Sequence, residues 1–142
     1  MTIDIIVDAN VVVSAQLVQH PNAHPYRIWE ALFDTGIQNY VSAHVLAECI
    51  DVLQRRDVVR RHRLTRGQVE ELVQRFALAS LEISSPRSLA VAPDPGDQHL
   101  WDMLASNPEM LLITGDPVLL ESDHFPGRIL SPRQFVERFL DG

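Results

Sequence analysis

Four acidic residues are spaced so that they could share one chemistry: Asp8, Glu48, Asp97 and Asp116. Asp8 closes an apolar run (IIVDAN), and Asp116 directly follows another (LLITGD). An aspartate at one strand end often only caps the next helix. Two at the ends of two buried strands can converge in one crevice, because open parallel sheets carry their sites at the carboxyl ends of their strands. Glu48 lies in an otherwise apolar stretch (HVLAECIDVL) and shares much of its helical face with Val45, Cys49 and Val52. It points inward or along the boundary, or else is a partly exposed helix glutamate. Asp97 opens a helix after a turn, where capping is the simpler role. Carboxylates gathered without basic partners repel and raise one another's pKa. Magnesium or manganese resolves this, because hard cations favour oxygen ligands. In two-metal hydrolysis the ions sit ~3.5–4 Å apart and steady the attacking and leaving oxygens. Water attacks phosphorus, a 3′-hydroxyl departs, and no covalent enzyme intermediate is needed. That suits a chain with no persuasive nucleophile–base pair.

The elements that must position these acids follow from periodicity and punctuation. Residues 3–8 (IDIIVD) are an apolar, β-branched run with the pattern of a buried strand. Residues 11–18 start a helix. Residues 24–35 predict another, with Pro25 in the first turn, Ile28, Leu32 and Trp29 on the apolar face, and Gly36 as the stop. Residues 37–41 predict a short strand. Ser42 caps a helix through about Leu53. Thr65 and Gln68 form a capping box for a helix toward Ala79. Residues 81–83 and 89–92 are short extended candidates. Asp94-Pro95-Gly96 is a turn, followed by a helix from about Asp97 to Ala105. Residues 110–114 (MLLIT) predict a buried strand, Val118–Leu120 a short helix, and Arg128–Leu130 an edge strand. Ser131-Pro132 opens a final helix that buries Phe135, Val136 and Phe139. Strands alternate with helices and are continuously apolar, which predicts a parallel sheet covered on both faces.

At 142 residues the chain has the size of one compact domain, read here as a single unit over 1–142. It is 46% hydrophobic and 22% charged, which predicts a packed core. Its apolar stretches are far shorter than the ~20 residues of a membrane helix, and no basic flank marks a signal peptide. With one cysteine, Cys49, no disulfide can form within the chain, which fits a reducing cytoplasm. Cys49 reads as a buried core thiol, and Trp29 and Trp101 read as core aromatics. All twelve basic residues are arginine. The absence of lysine excludes a Walker A phosphate loop and a Schiff-base enzyme. The net charge is −7, but six arginines (Arg55, Arg56, Arg60, Arg61, Arg63 and Arg66) lie in one segment, RRDVVRRHRLTR. With Asp57 this segment carries 6 − 1 = +5, leaving −12 on the rest. The strip is an RNA-binding surface, a solvated helix face, or a docking face for an acidic partner.

The succession VDANVVVSA, SAHVLAECIDVL, DPGDQHLWDMLA and LLITGDPVLL resembles the PIN-domain family. It is closer to the subgroup of toxins of toxin–antitoxin systems akin to VapC, and the tail ILSPRQFVERF resembles that subgroup's end. The resemblance spans essentially the whole chain. It implies a Rossmann-like α/β/α sandwich with a mostly parallel central sheet, magnesium or manganese, and hydrolysis of RNA phosphodiester bonds. By motif it makes Asp8, Glu48, Asp97 and Asp116 the catalytic acids and metal ligands. Asn10 and Thr114 match polar positions that orient those ligands. It also implies a cognate antitoxin and a homodimer. Family members often carry a further acid after the last aspartate. Here Pro117, Val118 and Leu119 stand there, so the number of metals, one or two, stays open. Asp94 is either an auxiliary ligand or a turn former, with the turn as its simpler role. His44 and His99 lie near motif acids and are read as surface or capping residues, with substrate assistance as the alternative.

Other readings are weaker. A haloacid-dehalogenase-type phosphatase needs a second acid where Asn10 stands, and both it and a response-regulator receiver need a lysine. A dinucleotide-binding domain needs GxGxxG after the first strand. Two competitors remain: a catalytically inactive PIN-like binding module, and a housekeeping RNA-processing nuclease on the same fold.

Overall fold

The computed structural model describes residues 2–141. Strand β1 (Ile3–Val7) is followed by helices α1 (Ala9–Leu17) and α2 (His24–Ala31), then β2 (Ile37–Val41). Helices α3 (Ala43–Leu53), α4 (Arg56–His62) and α5 (Arg66–Leu78) lead to β3 (Ser80–Glu82). A 3-10 turn (Pro95–Asp97) opens α6 (Gln98–Ser106), which leads to β4 (Leu111–Ile113). Helix α7 (Pro117–Leu120), β5 (Ile129–Leu130) and α8 (Pro132–Phe135) complete the described fold, and α8 widens into a π-helical turn at Val136–Leu140.

Among the described residues, the five strands form one sheet in the order β3-β2-β1-β4-β5, with every pairing parallel. Parallel neighbours need crossover connections, and these run right-handed. The chain therefore steps outward from β1 to β3 over one face and returns through β4 to β5 over the other. This is the α/β sandwich expected from the apolar runs. β1 is flanked on both sides, and Ile5, Ile6 and Val7 are buried. Burying each such side chain contributes ~1.5–3 kcal/mol. Helix α1 is nearly apolar all round, with Val11, Val12, Val13 and Ala15 buried, as a helix enclosed by neighbours must be. Trp101, Phe76 and Phe135 are the largest fully buried side chains. Cys49 is buried, and its thiol is pushed up to about 12 by burial first, then by the charges of Glu48 and Asp8.

The local signals place most elements where the sequence predicts them. Ser42 accepts from the Val45 amide and caps α3. Thr65–Gln68 and Ser131–Gln134 both form complete capping boxes. Other expectations need correction. Helix α2 ends at Ala31, a turn earlier than expected, and Gly36 (φ 97°) instead closes the loop into β2, where its carbonyl accepts from the Ile3 amide at 2.9 Å. Residues 89–92 form no strand. One side chain of α6 takes two of their backbone groups: the Ala92 amide donates to Gln98 Oε1 at 2.9 Å, and Gln98 Nε2 donates to the Ala90 carbonyl at 3.0 Å. Phe139 is half-buried rather than fully buried. No helix among the described residues is long and apolar enough to cross a membrane.

Candidate active site

The strand order reverses between β1 and β4, because the chain leaves β1 toward β2 on one side and later arrives at β4 on the other. The crevice beyond the carboxyl ends of the strands at such a reversal is where open α/β sheets bind ligands. Asp8 follows β1 there, and Thr114, Gly115 and Asp116 follow β4. The Asp8 amide donates to the Ile113 carbonyl at 3.0 Å, so the ladder carries the carboxylate directly to the crevice.

Side chains then join the two strand ends. The Thr114 hydroxyl donates to Asp8 Oδ2 at 2.8 Å, and Asn10 Nδ2 donates to the same oxygen at 3.2 Å. Thr114 Oγ1 accepts from the Asp116 amide at 3.1 Å, and Asn10 Oδ1 accepts from the Gly115 amide at 3.1 Å. Both side chains thus orient Asp8 and tie the loop after β4 to the start of α1. Asp116 Oδ1 caps α7 by accepting from the Val118 amide at 2.9 Å. Asp8 and Asp97 also occupy N-cap positions, yet neither side chain makes a capping bond. Capping therefore does not account for the carboxylate of Asp97.

Charge coupling links the acids in pairs: Asp8 with Glu48 and Asp116, and Asp97 with Asp8, Asp116 and Glu48. Asp8 is only 5% exposed, and burial pushes its carboxyl up to about 6. The Thr114 hydroxyl pulls it down, while Glu48 and Asp116 push it further up. Asp97 is also pushed up to about 6, by burial first and then by Asp8, Asp116 and Asp94. Burial raises Glu48, with Asp97 and Asp51 adding to the rise and His44 and Arg55 opposing it. Among the described residues, the ion pairs are Arg27–Asp141, Arg55–Asp51, Arg66–Glu70 and Arg133–Glu137, so none of the four acids has a paired cation. Among the described residues no three of the four acids bring carboxylate oxygens within 4.8 Å of one another, yet mutually repelling carboxylates without a cationic partner fit a hard divalent ion, whose charge would offset the repulsion. Asp94 makes the expected turn, its Oδ1 accepting from the Gly96 amide at 2.7 Å.

The arginine strip lies on and around α4. Arg55 is drawn to Asp51 (3.0 Å) and Arg66 to Glu70 (3.3 Å), whereas Arg56, Arg60, Arg61 and Arg63 are exposed. Arg55 is near enough to Glu48 to oppose its rise, so the strip begins at the edge of the acid cluster.

Sequence reasoning missed the pairing of two histidines beside Glu48. The rings of His44, on α3, and His99, on α6, stack with centroids 3.9 Å apart and planes tilted by 22°. Burial and the neighbouring His44 lower His99 to about 4, so its ring is neutral at ordinary pH. The one available signal was the spacing of His44 and Glu48, which sets them one turn apart on a single helix face.

The family model described as PIN domain matches residues 4–117, a span that holds all four acids. The chain is also 25% identical to "Uncharacterized protein MJ1680" of Methanocaldococcus jannaschii, over 96% of this chain and 92% of that protein.

Proposed function

The chain belongs to the PIN domain family, whose members are in general nucleases that use a divalent metal, and from that premise we propose that it is a magnesium- or manganese-dependent endoribonuclease, the toxin of a toxin–antitoxin pair. The observation that carries the nuclease reading is Asp8: a carboxylate 5% exposed, oriented by two hydrogen bonds, charged against its neighbours and given no cation. A buried charge facing other carboxylates is costly unless paired or bound to metal. Its retention argues for a working site over an inactive binding module.

A bound divalent ion would supply Lewis acidity, acidifying water near neutral pH and offsetting charge that develops at phosphorus. Asp8, Glu48, Asp97 and Asp116 would hold it through carboxylate oxygens. Thr114 and Asn10 keep Asp8 in one orientation by donating to Oδ2, so Oδ1, which neither of them engages, would be the ligand atom. Asp8 and Asp97 must lose their protons to serve, so activity at limiting metal rises as the pH passes about 6. The exposed arginines of α4 attract the RNA backbone toward the crevice.

The test is cleavage of a mixed single-stranded and structured RNA pool, with double-stranded DNA as control. Wild type and Asp8→Asn are compared with magnesium, with manganese and with a chelator. Cutting that needs both Asp8 and metal supports the reading. Equal cutting by the two proteins sinks it. The toxin role predicts growth arrest on expression that Asp116→Asn abolishes. It also predicts an antitoxin that sets an arginine against the unpaired carboxylates; an adjacent gene product that leaves cleavage unchanged would count against it. We further propose a cytoplasmic homodimer, checked by light scattering.

A further inference from the structure

We infer that His44, Glu48 and His99 form a binding site for a late first-row divalent ion of the zinc class, distinct in its donors from the all-oxygen cluster beside it. One ligand atom from each residue lies within 4.8 Å of the other two. Helix spacing explains half of this: His44 and Glu48 stand one turn apart on α3, so imidazole and carboxylate project side by side. The other half is tertiary, since His99 arrives from the first turn of α6 and stacks on His44 at 3.9 Å.

A tetrahedral ion needs both imidazole nitrogens ~2.0–2.1 Å away with their lone pairs aimed at it, so the His44 ring, now stacked on His99, must turn out of parallel to share one ion. His44 is exposed, so its side chain closes onto an ion by rotation without backbone movement. His99 supplies the second observation. Both of its ring nitrogens are sealed from solvent, and neither has a partner in hydrogen-bonding geometry among the described residues. Leaving buried polar atoms unpaired costs ~1–3 kcal/mol each. A metal ion takes one of these nitrogens and so removes that unpaired atom. Imidazole selects zinc, copper, iron or nickel over magnesium, which prefers oxygen. Both rings line a cleft of about 410 Å³ with Ser42, Ser84 and Ser85, and an ion enters from it as the exposed His44 ring turns away from His99.

The site draws only Glu48 from the cluster assigned to nuclease chemistry, and binding needs no cleavage, so its test stands apart from that activity. Metal-free full-length protein is titrated calorimetrically with zinc and, separately, with magnesium. Wild type is compared with His44→Asn, His99→Gln and Asp8→Asn, and cobalt absorption spectra are recorded for each. Expected is one zinc equivalent that either histidine substitution weakens by about tenfold or more and that Asp8→Asn retains, with magnesium affinity showing the reverse dependence. The cobalt d–d band is lost with either histidine. Zinc binding unchanged in both histidine variants overturns the proposal. So does zinc binding that depends on Asp8 and not on the histidines, which would place the ion among the carboxylates. His44 is exposed, so its variant keeps the test valid should His99→Gln fold poorly.

Discussion

Replacing Asp8 with asparagine measures what the acid cluster costs the fold. The substitution keeps the shape and removes one buried charge. The carbonyl oxygen can take the place of Oδ2, accepting from Thr114 and Asn10, while the new amide faces the remaining acids. The carboxyl is shifted from the ordinary 3.8 to about 6. At about 1.4 kcal/mol per unit, this corresponds to about 3 kcal/mol of destabilisation once Asp8 is ionised. Asp8 is 5% exposed, so solvent screening reduces this little. The sign follows from proton linkage. Between pH 3.8 and about 6 the native state holds a proton on Asp8 that the unfolded chain has released, so stability falls as the pH rises through that window. Above about 6 the whole penalty is present. In chelator at pH 7.5, Asp8→Asn is therefore expected to melt higher than wild type, by roughly 6–12 °C for a chain of this size. At pH 5 the gap shrinks to about half, because wild type is mostly protonated there. Magnesium at 100 times its Kd restores about 2.7 kcal/mol to wild type alone and nearly closes the gap. Thermal melts followed by circular dichroism at the two pH values, with chelator and with magnesium, read all of this. A variant that melts lower at pH 7.5 in chelator, or a gap indifferent to pH, would refute the claim that burial and repulsion dominate this site.

Thr114→Val deletes the hydroxyl that orients Asp8 and receives the Asp116 amide; manganese affinity by calorimetry is expected to fall about 10–100-fold, and an unchanged Kd would remove Thr114 from the site. Arg128 donates to the carbonyls of Leu104, Asn107 and Met110 and covers Phe125. Arg128→Lys cannot reproduce that fork and is expected to cost about 2 kcal/mol in urea unfolding, whereas a loss within error would show those contacts to be replaceable. If Arg60 and Arg61 meet phosphates, the double substitution Arg60→Ser/Arg61→Ser lowers the slope of log affinity against log salt for single-stranded RNA by about 1.4; an unaltered slope places the RNA elsewhere.

Much of this protein was legible in its residue order, for a physical reason: the deciding interactions are local. Ser42, Thr65 and Ser131 start their helices through bonds to backbone three residues on, so they read the same in the chain as in the fold. The apolar runs around Ile5 and Leu112 announced central strands because a strand covered on both faces has no polar side to show. Asp8 and Asp116 could be placed at strand ends by adjacency alone. What sequence could not supply depends on partners far along the chain. Residues 89–92 look extended, but Gln98 of α6 bonds the Ala92 amide and the Ala90 carbonyl, and they pair with no strand. Whether Asp97 serves as a cap or stands free was decided by its turn geometry. The size of the Asp8 shift required knowing how deeply the carboxylate is buried and which charges face it. His44 and His99 lie 55 positions apart in the chain, and no periodicity joins them. They meet because the sheet order carries α3 and α6 to the same end of the strands, and contact across such a separation is decided by packing, where sequence spacing has no influence.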